Sequence, residues 1–162
     1  MIEAASALLP VAPFLPEIVS RLAAKGGLVL RAEPGAGKTS LVPLALAKGF
    51  PGKVIVLEPR RVAAIQAAAR AEELLFGSSC ERAKQEIGYR VRGDSKSGER
   101  VEFVTSGVFV RMIQSDPGLS GVSCVVFDEF HERSLDSDLA LALALEARVL
   151  APELRILLMV GR

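Results

Sequence analysis

Leu28-Val29-Leu30-Arg31-Ala32-Glu33-Pro34-Gly35-Ala36-Gly37-Lys38-Thr39-Ser40 is the stretch around which this chain is organised. Its first three residues are a short apolar run that reads as a buried strand. The Gly-rich turn leads into an Ala- and Leu-rich segment, residues 41–48, that reads as a helix. Residues 32–39 fit the spacing of a phosphate-binding loop, with Ala32 where that pattern usually opens on Gly. The residue types suit the chemistry. Gly35 and Gly37 reach backbone angles that aim successive N–H groups at an anion. A helix starting there adds unpaired N–H groups and the positive end of its dipole. On this reading Lys38 reaches the β- and γ-phosphates of a nucleotide, and the Thr39 hydroxyl holds Mg²⁺. The alternative, a Gly turn of no chemical consequence, is disfavoured by the strand–loop–helix context.

Two further apolar runs end in polar clusters. Val54-Ile55-Val56-Leu57 has the unbroken apolar pattern of a strand buried on both faces of a parallel sheet. It stops at Glu58-Pro59-Arg60-Arg61, because Pro59 cannot continue a central strand. Residues 122–127 form another such strand and close on Asp128-Glu129-Phe130-His131. Shorter strands are expected at 87–91, 101–105 and 156–160, and helices at 62–76, 108–114 and 137–150. The run 139–145 alternates Leu and Ala with period two, as a strand would. Both residues are strong helix formers, however, and no β-branched residue follows until Val149. Residues 1–13 read as a loose lead-in, and Pro16 starts a short helix that Gly26-Gly27 stops. The polar region 77–100 opens on Gly77-Ser78-Ser79 and carries Arg82, Lys84, Arg90, Arg92, Lys96 and Arg100, which read as a solvated face. Strands alternating with helices give an α/β fold, a mostly parallel sheet flanked by helices with right-handed crossovers.

In such a sheet ligands bind at the carboxyl ends of the strands, where the loop, Arg60-Arg61 and Asp128-Glu129 all fall. An Asp closing an apolar strand is the magnesium partner a phosphate loop needs. Glu129 beside it would face the γ-phosphate and orient or deprotonate a water. The strands leading to Thr39 and to Asp128 are expected to lie side by side. Taken alone, the acid pair could equally serve a helix N-terminus. Arg60-Arg61 could be a solvated helix start, but cations are disfavoured at that end of a helix, which points to an external anion.

Asp128-Glu129-Phe130-His131 resembles motif II of the DEAH-box ATP-dependent RNA helicases, and the HrpB-type branch of that family is the nearest likeness. Other stretches agree in order and spacing: residues 32–39, Glu58-Pro59-Arg60-Arg61-Val62-Ala63-Ala64, Gly88-Tyr89-Arg90-Val91-Arg92, Val104-Thr105-Ser106-Gly107 with Arg111-Met112-Ile113, and His131-Glu132-Arg133-Ser134-Leu135. The resemblance runs from about residue 10 to the end. It implies a RecA-like P-loop NTPase domain over residues 1–162, the first of the two in the family, with the second domain absent from this chain. It implies ATP and Mg²⁺ as ligands. Ala32, Glu33, Pro34, Gly35, Ala36, Gly37, Lys38, Thr39 and Ser40 would hold the nucleotide, with Arg70 near the ribose or base. Thr39 and Asp128 would hold the metal, and Lys38, Glu129 and His131 would act in hydrolysis, His131 also linking the nucleotide to the second domain. Arg60, Arg61, Thr105 and Gly107 would touch an RNA backbone. Two departures stand out. Ser106 replaces a common acid, and Val160-Gly161-Arg162 stands where the family carries Ser-Ala-Thr.

Bulk properties narrow the partners. A formal charge of +1 excludes an all-over basic surface, so contact with nucleic acid must come from a local patch. Cys80 and Cys124 have no metal-ligand spacing, and a buried Cys124 thiol in a reducing compartment is expected. No segment reads as a targeting signal or as a membrane span, so a cytoplasmic protein is expected. Two rivals remain: a stand-alone P-loop ATPase of another class, and a nucleotide-dependent binding module without helicase activity.

Overall fold

The structure, a computed structural model, describes residues 6–76 and 81–161. Its strands are β1 Gly27–Arg31, β2 Lys53–Glu58, β3 Ile87–Val91, β4 Asp94–Lys96, β5 Val101–Thr105, β6 Val122–Phe127 and β7 Arg155–Val160. Its helices are α1 Leu15–Lys25, α2 Lys38–Gly49, α3 Arg61–Phe76, α4 Glu81–Glu86, α5 Ser106–Ser115 and α6 Leu135–Leu150. One seven-stranded sheet runs β1-β7-β6-β2-β5-β3-β4. All neighbours are parallel except the β3–β4 hairpin. The α/β expectation thus holds.

The unbroken apolar strands make sense because both faces are covered. Side chains alternate across the sheet. Val54 and Val56 join Leu22, Leu41, Phe103 and Met159 in one core layer, on the side of α1, α2 and α3. Ile55 and Leu57 join Phe109, Val125 and Phe127 in the other, with residues of α5 and α6. Each such fully buried side chain contributes about 1.5–3 kcal/mol. The alternating run in α6 is helical, as its propensities require. Ala140, Ala144 and Ala147 share the buried face at helical spacing, while Leu139 and Leu145 are about half exposed. Small residues face the sheet here, so hydrophobicity alone gives the wrong period.

Three expectations are corrected. The lead-in is not loose: from residue 6 it forms two 3₁₀ turns, Ser6–Leu8 and Ala12–Phe14, and buried Val11 donates its N–H to Ala36 O at 3.0 Å. The polar region contains α4 and β4, which its pattern did not reveal. Asp94-Ser95-Lys96 forms the exposed sheet edge, where nothing demands apolar residues. Its basic residues are only partly a solvated face. Arg90 and Lys53 flank the buried Glu102 carboxylate at 2.9 and 2.8 Å, Lys96 pairs with Glu72, and Arg100 donates to the Ala47 and Phe50 carbonyls. Finally, β1 and β6 are not neighbours, because β7 lies between them. The first five residues, residues 77–80 with Cys80 among them, and Arg162 lie outside the described residues.

Candidate functional site

Gly37, with φ of +89°, is the left-handed residue from which α2 departs. A Cβ there would lie 2.8 Å from Leu9 Cδ1, so both the backbone angle and the packed lead-in require glycine. The loop's N–H groups divide. Ala36 donates inward to Glu33 O at 3.2 Å, contrary to the expectation that it faces an anion. Among the described residues, Gly35, Gly37, Lys38 and Thr39 find no backbone acceptor, as at any helix start without a cap.

The side chains after the loop reach across the sheet. Thr39 Oγ1 donates to Asp128 Oδ2 at 2.6 Å, joining residues 89 apart in sequence. Because β7 separates the two strands, α2 itself carries Thr39 over to the end of β6. Asp128 is only 5% exposed, and its other oxygen accepts the Glu129 N–H at 2.9 Å. Lys38 is 3% exposed; its ammonium lies 3.4 Å from Ala32 O and 3.7 Å from Glu129 Oε1. Glu129 sits in the left-handed region at φ +50°, a strained conformation for a residue with a side chain. Its second oxygen is 3.1 Å from His131 Nε2. The loop, Lys38, Thr39, Asp128, Glu129 and His131 therefore meet, as expected from the sequence.

Glu58 is a residue the sequence analysis overlooked. It closes β2, is 3% exposed, and lines a cavity of about 200 Å³ with Asp128, Glu129 and Ser106. Burial, and then the carboxylates of Asp128, Glu129 and Glu132, push its pKa up to about 10, so it is neutral at pH 7. Its Oε1 is buried without a hydrogen-bond partner. The signal was available in principle: a Glu ending a strand otherwise apolar throughout, next to the end of β6.

Of the remaining residues, Arg60 lines the same cavity. Glu58 and Thr105 are paired in register at the ends of β2 and β5, which puts Arg60, Arg61, Thr105 and Gly107 on one carboxyl edge. Arg61 is exposed at the start of α3, whereas Arg60 pairs with Glu132 at 3.2 Å. Gly107 opens onto empty space. Arg70, expected near the ribose or base, pairs with Glu73 at 3.3 Å on the exposed side of α3. Ser40 is half-buried in the first turn of α2.

Comparison with known proteins identifies the family. Residues 15–159 match the model of the DEAD/DEAH box helicase family. The chain is 48% identical over 156 residues to the ATP-dependent RNA helicase HrpB of Escherichia coli K12, covering 93% of this chain and 19% of that protein. It is 36% identical over 161 residues to the mouse (Mus musculus) ATP-dependent RNA helicase DHX30, covering 93% of this chain and 13% of that protein. The crystal structure of Escherichia coli DEAH/RHA helicase HrpB superposes with a TM-score of 0.87 at 46% identity, over 95% of this chain and 20% of that one. The chain thus spans a fifth or less of the length of these relatives. With a family model matched over residues 15–159 and a fold shared over 95% of the chain, the conclusion is plain: the chain belongs to the DEAD/DEAH box helicase family and has its RecA-like fold.

Proposed function

We propose that this chain is the ATP-binding, RNA-contacting first RecA-like domain of an HrpB-like ATP-dependent RNA helicase, whose hydrolysis drives unwinding together with a second domain. The observation that carries it is the 2.6 Å bond between the Thr39 hydroxyl and Asp128, at the mouth of a loop in which the N–H groups of Gly35, Gly37, Lys38 and Thr39 find no backbone acceptor. The donor set fits Mg²⁺: a hydroxyl and a carboxylate offer hard oxygens, and this ion keeps waters and takes phosphate oxygens rather than needing an all-protein cage. Among the described residues, no three His, Cys, Asp or Glu side chains form such a cage. When bound, the ion neutralises charge on the β- and γ-phosphates. The protein's own part is positional. The N–H groups of Gly35, Gly37, Lys38 and Thr39 cradle the phosphates, Lys38 exchanges Glu129 for a phosphate oxygen, and Glu129 orients the attacking water. The Cys124 thiol is buried, its pKa pushed up to about 11 by desolvation, and no helix among the described residues is long and apolar enough to cross a membrane. Both features suit work in the cytoplasm.

The direct test is Mg-nucleotide binding measured by calorimetry. The unaltered chain is expected to bind ATP or ADP at millimolar concentration or below, and Lys38→Ala to lose most of that affinity. Equal binding by both would overturn the reading.

The edge formed by Arg60, Arg61, Thr105 and Gly107 suits a phosphate backbone. The exposed Arg60–Glu132 pair is worth at most about 1 kcal/mol, so a phosphate can displace it. Backbone contacts carry no base information. Short single-stranded RNAs of different sequence should therefore bind this chain weakly and alike, with affinity falling as salt rises. Arg61→Ala should lower every affinity and reduce the log–log salt slope by about 0.7. Fluorescence anisotropy across a salt series checks this, and strong sequence selectivity or salt-independent binding would count against the edge.

A further inference from the structure

Glu129 is held from two sides. Oε1 faces the Lys38 ammonium at 3.7 Å, and Oε2 lies 3.1 Å from His131 Nε2. The imidazole is held in turn: its Nδ1 accepts the Gly161 backbone N–H at 2.9 Å. An amide N–H only donates, so Nδ1 must present its lone pair and the ring proton sits on Nε2. In that tautomer Nε2–H donates to the Glu129 carboxylate. The opposite tautomer would set a lone pair against a carboxylate and leave the Gly161 N–H facing another N–H. The ring reaches this place only because residue 161 has no side chain. A Cβ there would stand 2.9 Å from His131 Cε1 and 3.5 Å from Nε2, closer to carbon than real Cβ atoms come. Gly161 is buried and directly follows β7, whose ladder with β1 and β6 fixes its height above the sheet.

We propose that Gly161 is a positioning residue. Its backbone N–H and its missing side chain fix the tautomer and tilt of His131, and through that ring the orientation of the Glu129 carboxylate. The inference rests on the reading of Glu129 as the carboxylate that orients the attacking water. It gives the departure from the family pattern a task of its own: Gly161 falls where that pattern carries the Ala of Ser-Ala-Thr, its main chain grips the imidazole, and the Cβ of an Ala there could not be accommodated without displacing the ring.

His131 is the chain's one histidine, so long-range ¹H–¹⁵N correlation spectra of labelled protein report its tautomer directly. The spectra are taken at about pH 8, above the ordinary imidazole pKa of about 6.5. The unaltered chain is expected to give a pyridine-type Nδ1 and a pyrrole-type Nε2. Two variants are compared: Gly161→Ala, which adds the Cβ, and a chain ending at Val160, which removes the N–H without adding one. In both, the two nitrogen shifts should move toward each other as the tautomers mix, while affinity for Mg-ADP stays unchanged. A pure Nε2–H signature surviving in both variants would mean that Glu129 alone selects the tautomer, and would overturn the proposal. An Nδ1–H signature in the unaltered chain would overturn it too. The expected shifts without any Mg-ADP binding would support the positioning role while sinking the nucleotide reading.

Discussion

Single-turnover hydrolysis of bound ATP by this chain alone should run about 10³–10⁵-fold slower than by a form in which a second domain closes over the nucleotide. Phosphoryl transfer depends on positioning and on neutralising charge at the γ-phosphate, and an arginine finger supplies much of the second. The arginines near motif II face acids of this chain. Arg133 makes a two-bond contact with Asp138 at 2.9 Å and lies over the Phe130 ring, and Arg60 is paired with Glu132. Lys38 is the cation that faces Glu129. At 1.36 kcal/mol per tenfold, lacking a finger raises the barrier by roughly 4–7 kcal/mol. Rapid-quench measurement with excess protein, with and without RNA, tests this. Turnover near one per second that Lys38→Ala abolishes would mean that a finger arrives within this chain or from a second copy, and the proposed division of labour between two domains would be wrong.

Exchanging the two neighbouring carboxylates should separate binding from chemistry. Asp128 accepts both the Thr39 hydroxyl and the Glu129 N–H. Asp128→Ala therefore removes a metal-side oxygen and unfastens its neighbours, and Mg-nucleotide affinity should fall about 10–100-fold. Glu129 makes no bond to the loop's backbone and stands between Lys38 and His131. Glu129→Gln keeps its shape and loses its charge. Affinity should hardly change, while turnover in a two-domain form should drop by about 10²–10⁴, the usual worth of a positioned general base. Calorimetry for binding and single-turnover rates for chemistry separate the effects. Equal affinity losses from both changes would show that the two roles are wrongly divided.

Much of this site was legible because its chemistry is local. Gly37-Lys38-Thr39 announces a phosphate cradle through spacing alone, since left-handed glycine and free helix-start N–H groups are properties of a few consecutive residues. The apolar strands ending in Glu58-Pro59 and in Asp128-Glu129 announce a buried parallel sheet with polar carboxyl ends in the same way. Likeness to the helicase motifs added the roles proposed for His131 and for Arg60 and Arg61, which no spacing rule supplies.

Tertiary structure decided what depends on neighbours distant in sequence. Strand order is one case: pairing energies in a parallel sheet are similar for any apolar run, so nothing local says that β7 lies between β1 and β6. The polar edge strand β4 is another, because an exposed edge needs no apolar pattern. Glu58 becomes an acid that stays neutral at pH 7 only where burial and three other carboxylates surround it. Gly161 read in the sequence as a lapse from a family pattern. Folding brings it against His131, and there the lack of a side chain becomes a requirement, because two groups 30 residues apart must share the space of one methyl.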